Sequence, residues 1–439
     1  MEILTFKKGV HPPHGKHFTE NKPIEDLQPK DLLVFPMSQH IGAPAECLVK
    51  KGDSVLVGQK IGQASGFISA NIHSSVSGTV KDVKPVLTAS GTKALAVIVE
   101  NDGQYEEVEF VKPKDYHEMT KEEIAGLVKE AGVVGMGGAA FPTNVKLLPP
   151  PDKKIDSIVI NAAECEPYLT CDHRIMLEET EKIVEGLKIV LHMYPNAKGY
   201  IGIEDNKKDA IEVMQKAVKD IANIEVKSLQ TKYPQGAEKQ LIYAITKREV
   251  PSGKLPADAG CIVQNVTTLH EIYQAVVLGK PSTTRIVTVT GEAVKEPKNL
   301  RVRNGMSFRE LVDACGGFNE DPVKIISGGP MMGMAISTLD IPVVKAASGI
   351  LCLTAKQAVL PQESSCIRCG KCVEACPMFL IPSNIDSLGR RKDFDGFEEC
   401  HGLDCIECGS CTFVCPAKRH LIQSIRTSKR TVLANKRKK

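Results

Sequence analysis

Eight of the fifteen cysteines in this 439-residue chain fall into two copies of one spacing, Cys-x2-Cys-x2-Cys-x3-Cys-Pro. The first copy is Cys366, Cys369, Cys372 and Cys376 before Pro377, and the second is Cys405, Cys408, Cys411 and Cys415 before Pro416. Three thiolates at three-residue steps can wrap one iron–sulfur cube. The fourth, set off by a longer step and a proline, reaches the other cube where two such runs occur together. The spacing therefore predicts one 4Fe–4S cluster on Cys366, Cys369, Cys372 and Cys415, and a second on Cys376, Cys405, Cys408 and Cys411. Zinc ribbons would need two cysteine pairs separated by a longer loop, and neither the uninterrupted run nor its duplication suits them or a disulfide framework. The chemistry expected is the movement of single electrons.

The rest of the chain must position those clusters. Its length accommodates about three or four domains, and 42% hydrophobic with 25% charged residues is ordinary for a globular protein. No run approaches the ~18 apolar residues of a membrane helix, and the opening Met1-Glu-Ile-Leu-Thr-Phe-Lys-Lys lacks a signal-peptide core. Free thiolates for iron require a reducing compartment, which points to the cytoplasm. Nine Lys and Arg and no acidic residue follow Pro416, so the net charge of +3 leaves −6 for everything before it. That basic end, residues 426–439 above all, reads as a solvated tail able to assist docking on an anionic surface. It has no interleaved aromatics, so nucleic acid is not an expected partner.

Residues 1–115 read as β-rich. Leu48 to Ile61 alternates around Gly52-Asp53 and Gly58-Gln59 turns, and Ala70 to Val83 repeats the pattern. The paired halves resemble the barrel-sandwich of biotinyl and lipoyl carriers. The connecting segment Ala64 to Ser69 holds no lysine, so no swinging arm is expected. Residues 116–282 alternate helices and strands, the signature of a mainly parallel, Rossmann-like sheet. Thr120-Lys-Glu-Glu123 is a capping box opening a helix to about Ala131. Strands are expected at Ile155 to Ile160 and around Tyr200, and helices over Ile175 to Tyr194 and Asp209 to Ile221. Residues 283–355, with a strand at Arg285 to Thr290 and a helix at Ser307 to Ala314, look like a soluble-ligand-binding β-grasp domain. Residues 356–425 form the helical two-cluster, ferredoxin-like domain. The fold class expected is thus multidomain α/β plus β.

A second chemical centre is suggested by Gly135-Met-Gly137-Gly138-Ala-Ala-Phe141-Pro142. Closely spaced glycines let backbone N–H groups approach a phosphate or a flat ring system. Asn161-Ala-Ala-Glu164-Cys-Glu166-Pro167 follows a strand, where α/β sheets set ligand-binding residues. Tyr233-Pro-Gln-Gly236-Ala-Glu238 and Gln264-Asn265-Val-Thr267 complete the set. Together these four segments resemble the flavin- and NADH-binding fold of the flavoprotein subunit of respiratory complex I. The resemblance implies that Gly135, Gly137, Gly138, Asn161, Glu164, Gly236, Asn265 and Thr267 face FMN. It turns Phe141, Lys146 and Glu166 towards NADH. Met136, Ala163, Ala237 and Gln264 depart from that family's pattern.

Gly9-Val-His11-Pro-Pro13, the segment from Glu164 to Asp172, Ser327-Gly-Gly-Pro-Met-Met-Gly333 and the domain order narrow the resemblance further. They are similar to the RnfC family of the Rnf electron-transport complex. That family implies a peripheral subunit on the cytoplasmic face of the membrane. It would pass electrons between NAD(H), FMN and two 4Fe–4S clusters, with membrane and peripheral Rnf subunits as partners and ferredoxin as an indirect one. The whole complex couples ferredoxin:NAD oxidoreduction to Na⁺ or H⁺ translocation, which makes it a translocase. Rival readings are a flavin/iron–sulfur reductase such as a microcompartment cobalamin reductase, an electron carrier with a decayed flavin site, and a structural interaction module. His11, His14 and His17 are read as a loop that packs or binds a neighbour, Cys165 and Cys171 as small buried hydrophobes, and Cys400 as a spare. Met331, Met332 and Met334 are read as packing residues. No residue is assigned as an acid or base.

Overall fold

The protein is described by a computed structural model covering residues 2–358 and 362–438. Part of the expected join into the cluster domain (359–361) and one charge of the basic end (Lys439) lie outside the described residues.

A parallel sheet organises the centre. Its strands run Ile224–Leu229, Lys198–Glu204, Ser157–Ala162, Cys261–Asn265 across the sheet, all parallel. Chain order is therefore third, second, first, fourth, and the direction of winding reverses between Ser157–Ala162 and Cys261–Asn265. Strands buried on both faces read as apolar runs such as Ser-Ile-Val-Ile. Their core continues into helices Lys121–Glu130, Thr180–Met193 and Val266–Leu278. Helix Lys121–Glu130 opens on the expected capping box, with Thr120 Oγ1 accepting from Glu123 N and Glu123 Oε2 from Thr120 N. The single helix expected from Ile175 to Tyr194 is instead two, Cys171–Glu178 and Thr180–Met193. Glu179 breaks it, with a carboxylate bound 2.6 Å from Arg301 on the β-grasp strand Lys298–Arg303.

The barrel-sandwich comprises the antiparallel set Leu32–Pro36, Lys93–Asn101, Gly78–Leu87, Ser54–Val55 and a smaller sheet of Glu46–Cys47, Lys60–Gln63 and Ile72–His73. It is not independent. Leu33, Phe35 and Val97 share one core with Val287, Leu300 and Phe308 of the β-grasp unit. Lys345 is fully buried and donates to both Asn71 O and Gly132 O, pinning sandwich, β-grasp and central units at one point.

The first thirty residues depart from the expected sandwich. Leu4 bridges to Leu229 on the edge of the parallel sheet, and Val10 bridges to Tyr233. Ile24–Asp26 then adds a parallel strand beside Lys298–Arg303 in the six-stranded β-grasp sheet. This segment is a strap across the other units.

The basic end also differs from expectation. It is helical over Leu421–Lys438, with Ile425 and Val432 buried against Ile385 and Phe397. Leu421, Ile425, Ser428 and Val432, three to four positions apart, form its buried face, while Arg426 and Lys429 turn to Glu407.

Candidate functional site

The carboxyl ends of Ser157–Ala162 and Cys261–Asn265 flank the reversal of strand order, which is where open α/β sheets bind ligands. The residues expected around a flavin meet there. Asn265 caps helix Val266–Leu278: its Oδ1 accepts from Thr267 N at 2.8 Å, and its Nδ2 donates to Asp172 Oδ2 at 2.7 Å. Thr267 Oγ1 donates to the other oxygen of Asp172 at 2.8 Å. Asn161 Nδ2 donates to Gly236 O at 2.8 Å, closing the far side. Glu164 accepts from the N–H groups of Asp172 and His173 at the start of helix Cys171–Glu178.

The glycine loop lies across this frame. Gly135 N donates to Phe141 O at 2.8 Å, and Met136 N donates to Thr268 Oγ1 at 2.9 Å. Gly137 has φ +77°, and a Cβ there would stand 3.0 Å from Asn265 Nδ2. Gly137, Gly138 and Ala139 are exposed. A Cβ on Gly138 would meet no protein atom within 4 Å. The loop thus presents an open backbone cradle directly above the polar frame, and these residues fit a phosphate-bearing flat ring system.

Buried charged groups tie the frame together from beneath. Lys16 donates to the carbonyls of Glu164, Glu166 and Leu169 at 2.9, 3.1 and 2.5 Å, and its ammonium lies 3.9 Å from the Glu164 carboxylate. Burial pushes Glu164 up to about 7 and Lys16 down, each partly offset by the other's charge. A second pair, Lys207 with Glu204 at 3.4 Å, is almost fully buried, and Lys207 also donates to Ala163 O. Such pairs add little net stability, but removing one partner leaves a charge stranded.

The three residues expected on the nucleotide side are already engaged or partly enclosed. Lys146 donates to Glu238 Oε1 at 2.7 Å and Val263 O at 2.9 Å. Phe141 is half-buried. Glu166 accepts from Met331 N at 3.1 Å and Met332 N at 2.8 Å. Burial pushes Glu166 up to about 7 against the pull of those two donors.

The cysteines line two cavities. Cys376, Cys405, Cys408 and Cys411 line one cavity, walled by apolar residues that include Leu380, Ile385, Ile406 and Ile425. Cys366, Cys369, Cys372 and Cys415 line another, with Ile367, Arg368 and Arg419 at its rim. The fourth cysteine of each run has crossed to the other group. Burial pushes the Cys405 thiol up to about 11, and the neighbouring Cys408 and Cys376 add to the shift. Thiols so raised are poor nucleophiles, and a bound cation is what makes them thiolates.

The two centres touch. Tyr233 O–H donates to Cys408 O at 2.8 Å, and three residues on Gly236 N donates to Cys165 Sγ at 3.2 Å. Val10, Tyr233, Ala375 and Cys408 share a small apolar core joined by Cys165 and Met331.

Sequence reasoning overlooked Asp172, Thr268, Lys207 and Lys16. Asp172 stood at the end of a quoted segment. Lys16 sits between His14 and His17, which drew attention although they and His11 are exposed and only the lysine is buried. The loop's backbone is anchored, Tyr168 N donating to His14 O at 2.7 Å, while the three imidazoles stay exposed.

Four family models match in order: the RnfC barrel sandwich hybrid domain over 4–104, the Nuo51 FMN-binding domain over 128–274, the SLBB domain over 286–335 and the 4Fe-4S dicluster domain over 365–419. FMN and two 4Fe–4S clusters are accordingly its cofactors. The chain is 50% identical to the C subunit of the Na⁺-translocating ferredoxin:NAD⁺ oxidoreductase complex of Acetobacterium woodii, covering 99% of this chain and 98% of that one. It is 51% identical to the proton-translocating counterpart from Clostridium ljungdahlii (97% and 93% covered). It is 40% identical to the C subunit of the ion-translocating oxidoreductase complex of Rhodobacter capsulatus (90% and 77% covered). Among solved structures, an NAD⁺-reducing [NiFe]-hydrogenase in the air-oxidised state aligns with a TM-score of 0.50 at 17% identity, over 72% of this chain and 61% of that one, a likeness of fold alone. Among the described residues no helix is long and apolar enough to cross a membrane. The chain belongs to the RnfC family of ion-translocating ferredoxin:NAD⁺ oxidoreductase complexes, as a peripheral electron-transfer subunit.

Proposed function

We propose that this subunit exchanges electrons with NAD(H) on the cytoplasmic face of the membrane and hands them, singly, along two clusters to partner subunits of its complex. Ferredoxin is then an indirect partner, and ion translocation across the membrane belongs to the whole assembly. Bound FMN supplies the step between two-electron hydride chemistry and one-electron transfer. The chain's own groups hold and orient it. Gly135, Gly137 and Gly138 give backbone access. Asn265 and Thr267 fix one side of the cleft through Asp172, the Asn161–Gly236 hydrogen bond fixes the other, and Glu164 with Lys16 sets its charge. Phe141 offers a face for stacking at the open side, and Lys146, braced by Glu238, adds positive charge to that wall.

Cys376, Cys405, Cys408 and Cys411 would hold the cluster next to the flavin. Cys366, Cys369, Cys372 and Cys415 would hold the one that meets a partner. The observation that carries this order is the Tyr233–Cys408 hydrogen bond, made by the same segment that meets the cleft at Gly236.

Gly138→Val tests the flavin assignment. Its backbone is not in the left-handed region and its Cβ meets open space, so the fold should tolerate the change. The purified variant should retain iron yet lose FMN, with no bleaching by NADH. Full flavin occupancy would refute the assignment.

A further inference from the structure

Glu166 is the residue whose surroundings differ most from what the resemblance implies. Both of its carboxylate oxygens are taken up by the β-grasp turn between Lys324–Ser327 and Met334–Ile336, through the N–H groups of Met331 and Met332. The turn is shaped for this contact. Gly333 N closes it by donating to Gly329 O at 3.0 Å. A Cβ on Gly329 would fall 2.3 Å from Glu166 Oε2, so only glycine lets the carboxylate in.

The other side of the same turn faces the cluster domain. A Cβ on Gly409 would stand 3.0 Å from Met331 O. The Met331 side chain packs with Tyr233, Cys408 and Val10. Gly409 itself has φ +79° and opens the short helix Ser410–Phe413 that carries Cys411. One turn of chain is therefore gripped by a flavin-domain carboxylate and pressed on the loop between two cysteines.

We propose that Glu166 is a positioning residue that clamps the Gly328–Gly333 turn onto the Cys408–Cys411 loop and so sets the geometry between the flavin cleft and the buried cluster. This rests on the proposed function for its electron-transfer consequence. Its structural content rests only on the contacts above. Hydrogen bonds to a carboxylate are roughly twice as strong as neutral ones. The clamp crosses three units of the chain, so a shift at Glu166 displaces the cluster loop while leaving the polar frame around Asp172 in place.

Two variants test it from opposite sides in the full-length protein loaded with FMN and iron. Glu166→Gln keeps the size but turns an amide donor towards one of the two N–H groups. Gly329→Ala leaves Glu166 intact and pushes it away with a methyl. Both should retain FMN and iron. In both, the EPR signal of the dithionite-reduced Cys408 cluster should move while that of the Cys366 cluster stays, a readout that needs neither NADH nor flavin. In stopped-flow mixing with NADH, flavin bleaching should keep its half-saturation within about twofold, and cluster reduction should slow by about tenfold, the scale of a small misplacement. Unchanged EPR and cluster reduction in both variants would overturn the proposal. A raised NADH half-saturation with native cluster reduction would also do so, returning Glu166 to the nucleotide. If the unmutated protein fails to bleach with NADH, the flavin reading fails, and the dithionite spectra still decide the clamp.

Discussion

The two cysteine runs share one spacing, and the fold gives them opposite surroundings. Around one cavity Cys366 and Cys369 are exposed, Cys372 is half-buried, and only the crossed-over Cys415 is buried. Around the other Cys376, Cys408 and Cys411 are buried and Cys405 is half-buried. The first cavity has Arg368 and Arg419 at its rim, whereas the second is walled by leucine and isoleucine. The strap adds to the contrast. Lys8 Nζ donates to Val373 O and Gly9 N to Ala375 O, sealing the buried side against the central domain. A repeated motif thus lines two cavities, and its neighbours give each cavity a different environment. Solvent exposure and nearby charge are the levers that tune a cluster, and on the proposed function they make the buried cavity an inner station and the exposed one an outer station.

The largest expected effect comes from breaking the crossing. Cys376→Ala should cost the cluster on Cys405, Cys408 and Cys411 and leave the Cys366 cluster largely intact, with iron content falling to about half. Iron analysis with EPR checks this. Loss confined to the Cys366 cluster would mean that each run ligates its own.

Removing residues 429–439 ranks next. The sequence alone suggests a dispensable charged tail, but this segment carries Val432, buried with Ile385 and Phe397, and Lys429, whose Nζ lies 2.6 Å from Cys405 O. Losing that packing and bond should cost about 2–3 kcal/mol. The Cys405 side should lose iron first, seen as preferential decay of the inner EPR signal. A truncated protein with both signals at native intensity would show the helix end to be accessory.

Tyr233→Phe should have the smallest effect. It removes the hydroxyl that donates to Cys408 O, for about 1 kcal/mol in thermal or denaturant unfolding. The inner signal should shift and the outer one stay fixed.

How much of this was legible in the sequence follows from which signals are local. Cysteine spacing is read along the chain, and the two groups it proposes are the two sets of cysteines that line the cavities. Thr120-x-x-Glu123 and the apolar run before Asn161 are equally local, so the helix start and the central strand came through within two residues or so. The missed features are long-range. The break at Glu179 falls where its carboxylate meets Arg301 of another domain, a partner no local window contains. Lys16 is buried because three carbonyls some 150 residues away need a donor. The amphipathic face of Leu421–Lys438 was hidden by its charges, since composition outweighed periodicity in that window. Glu166 sits in a segment similar to a nucleotide-binding one, and only the β-grasp turn folded over it reveals a different partner.

The order of the stations is the central claim, and a variant lacking the outer cluster tests it most directly. Cys366→Ala protein, loaded with FMN and its remaining iron, would be mixed with NADH and freeze-quenched for EPR. The account predicts that the Cys408 cluster is reduced at the native rate, because its route from the cleft runs through Tyr233 and needs nothing from the other cavity. An inner cluster that stays oxidised under NADH, yet is reducible by dithionite, would contradict it.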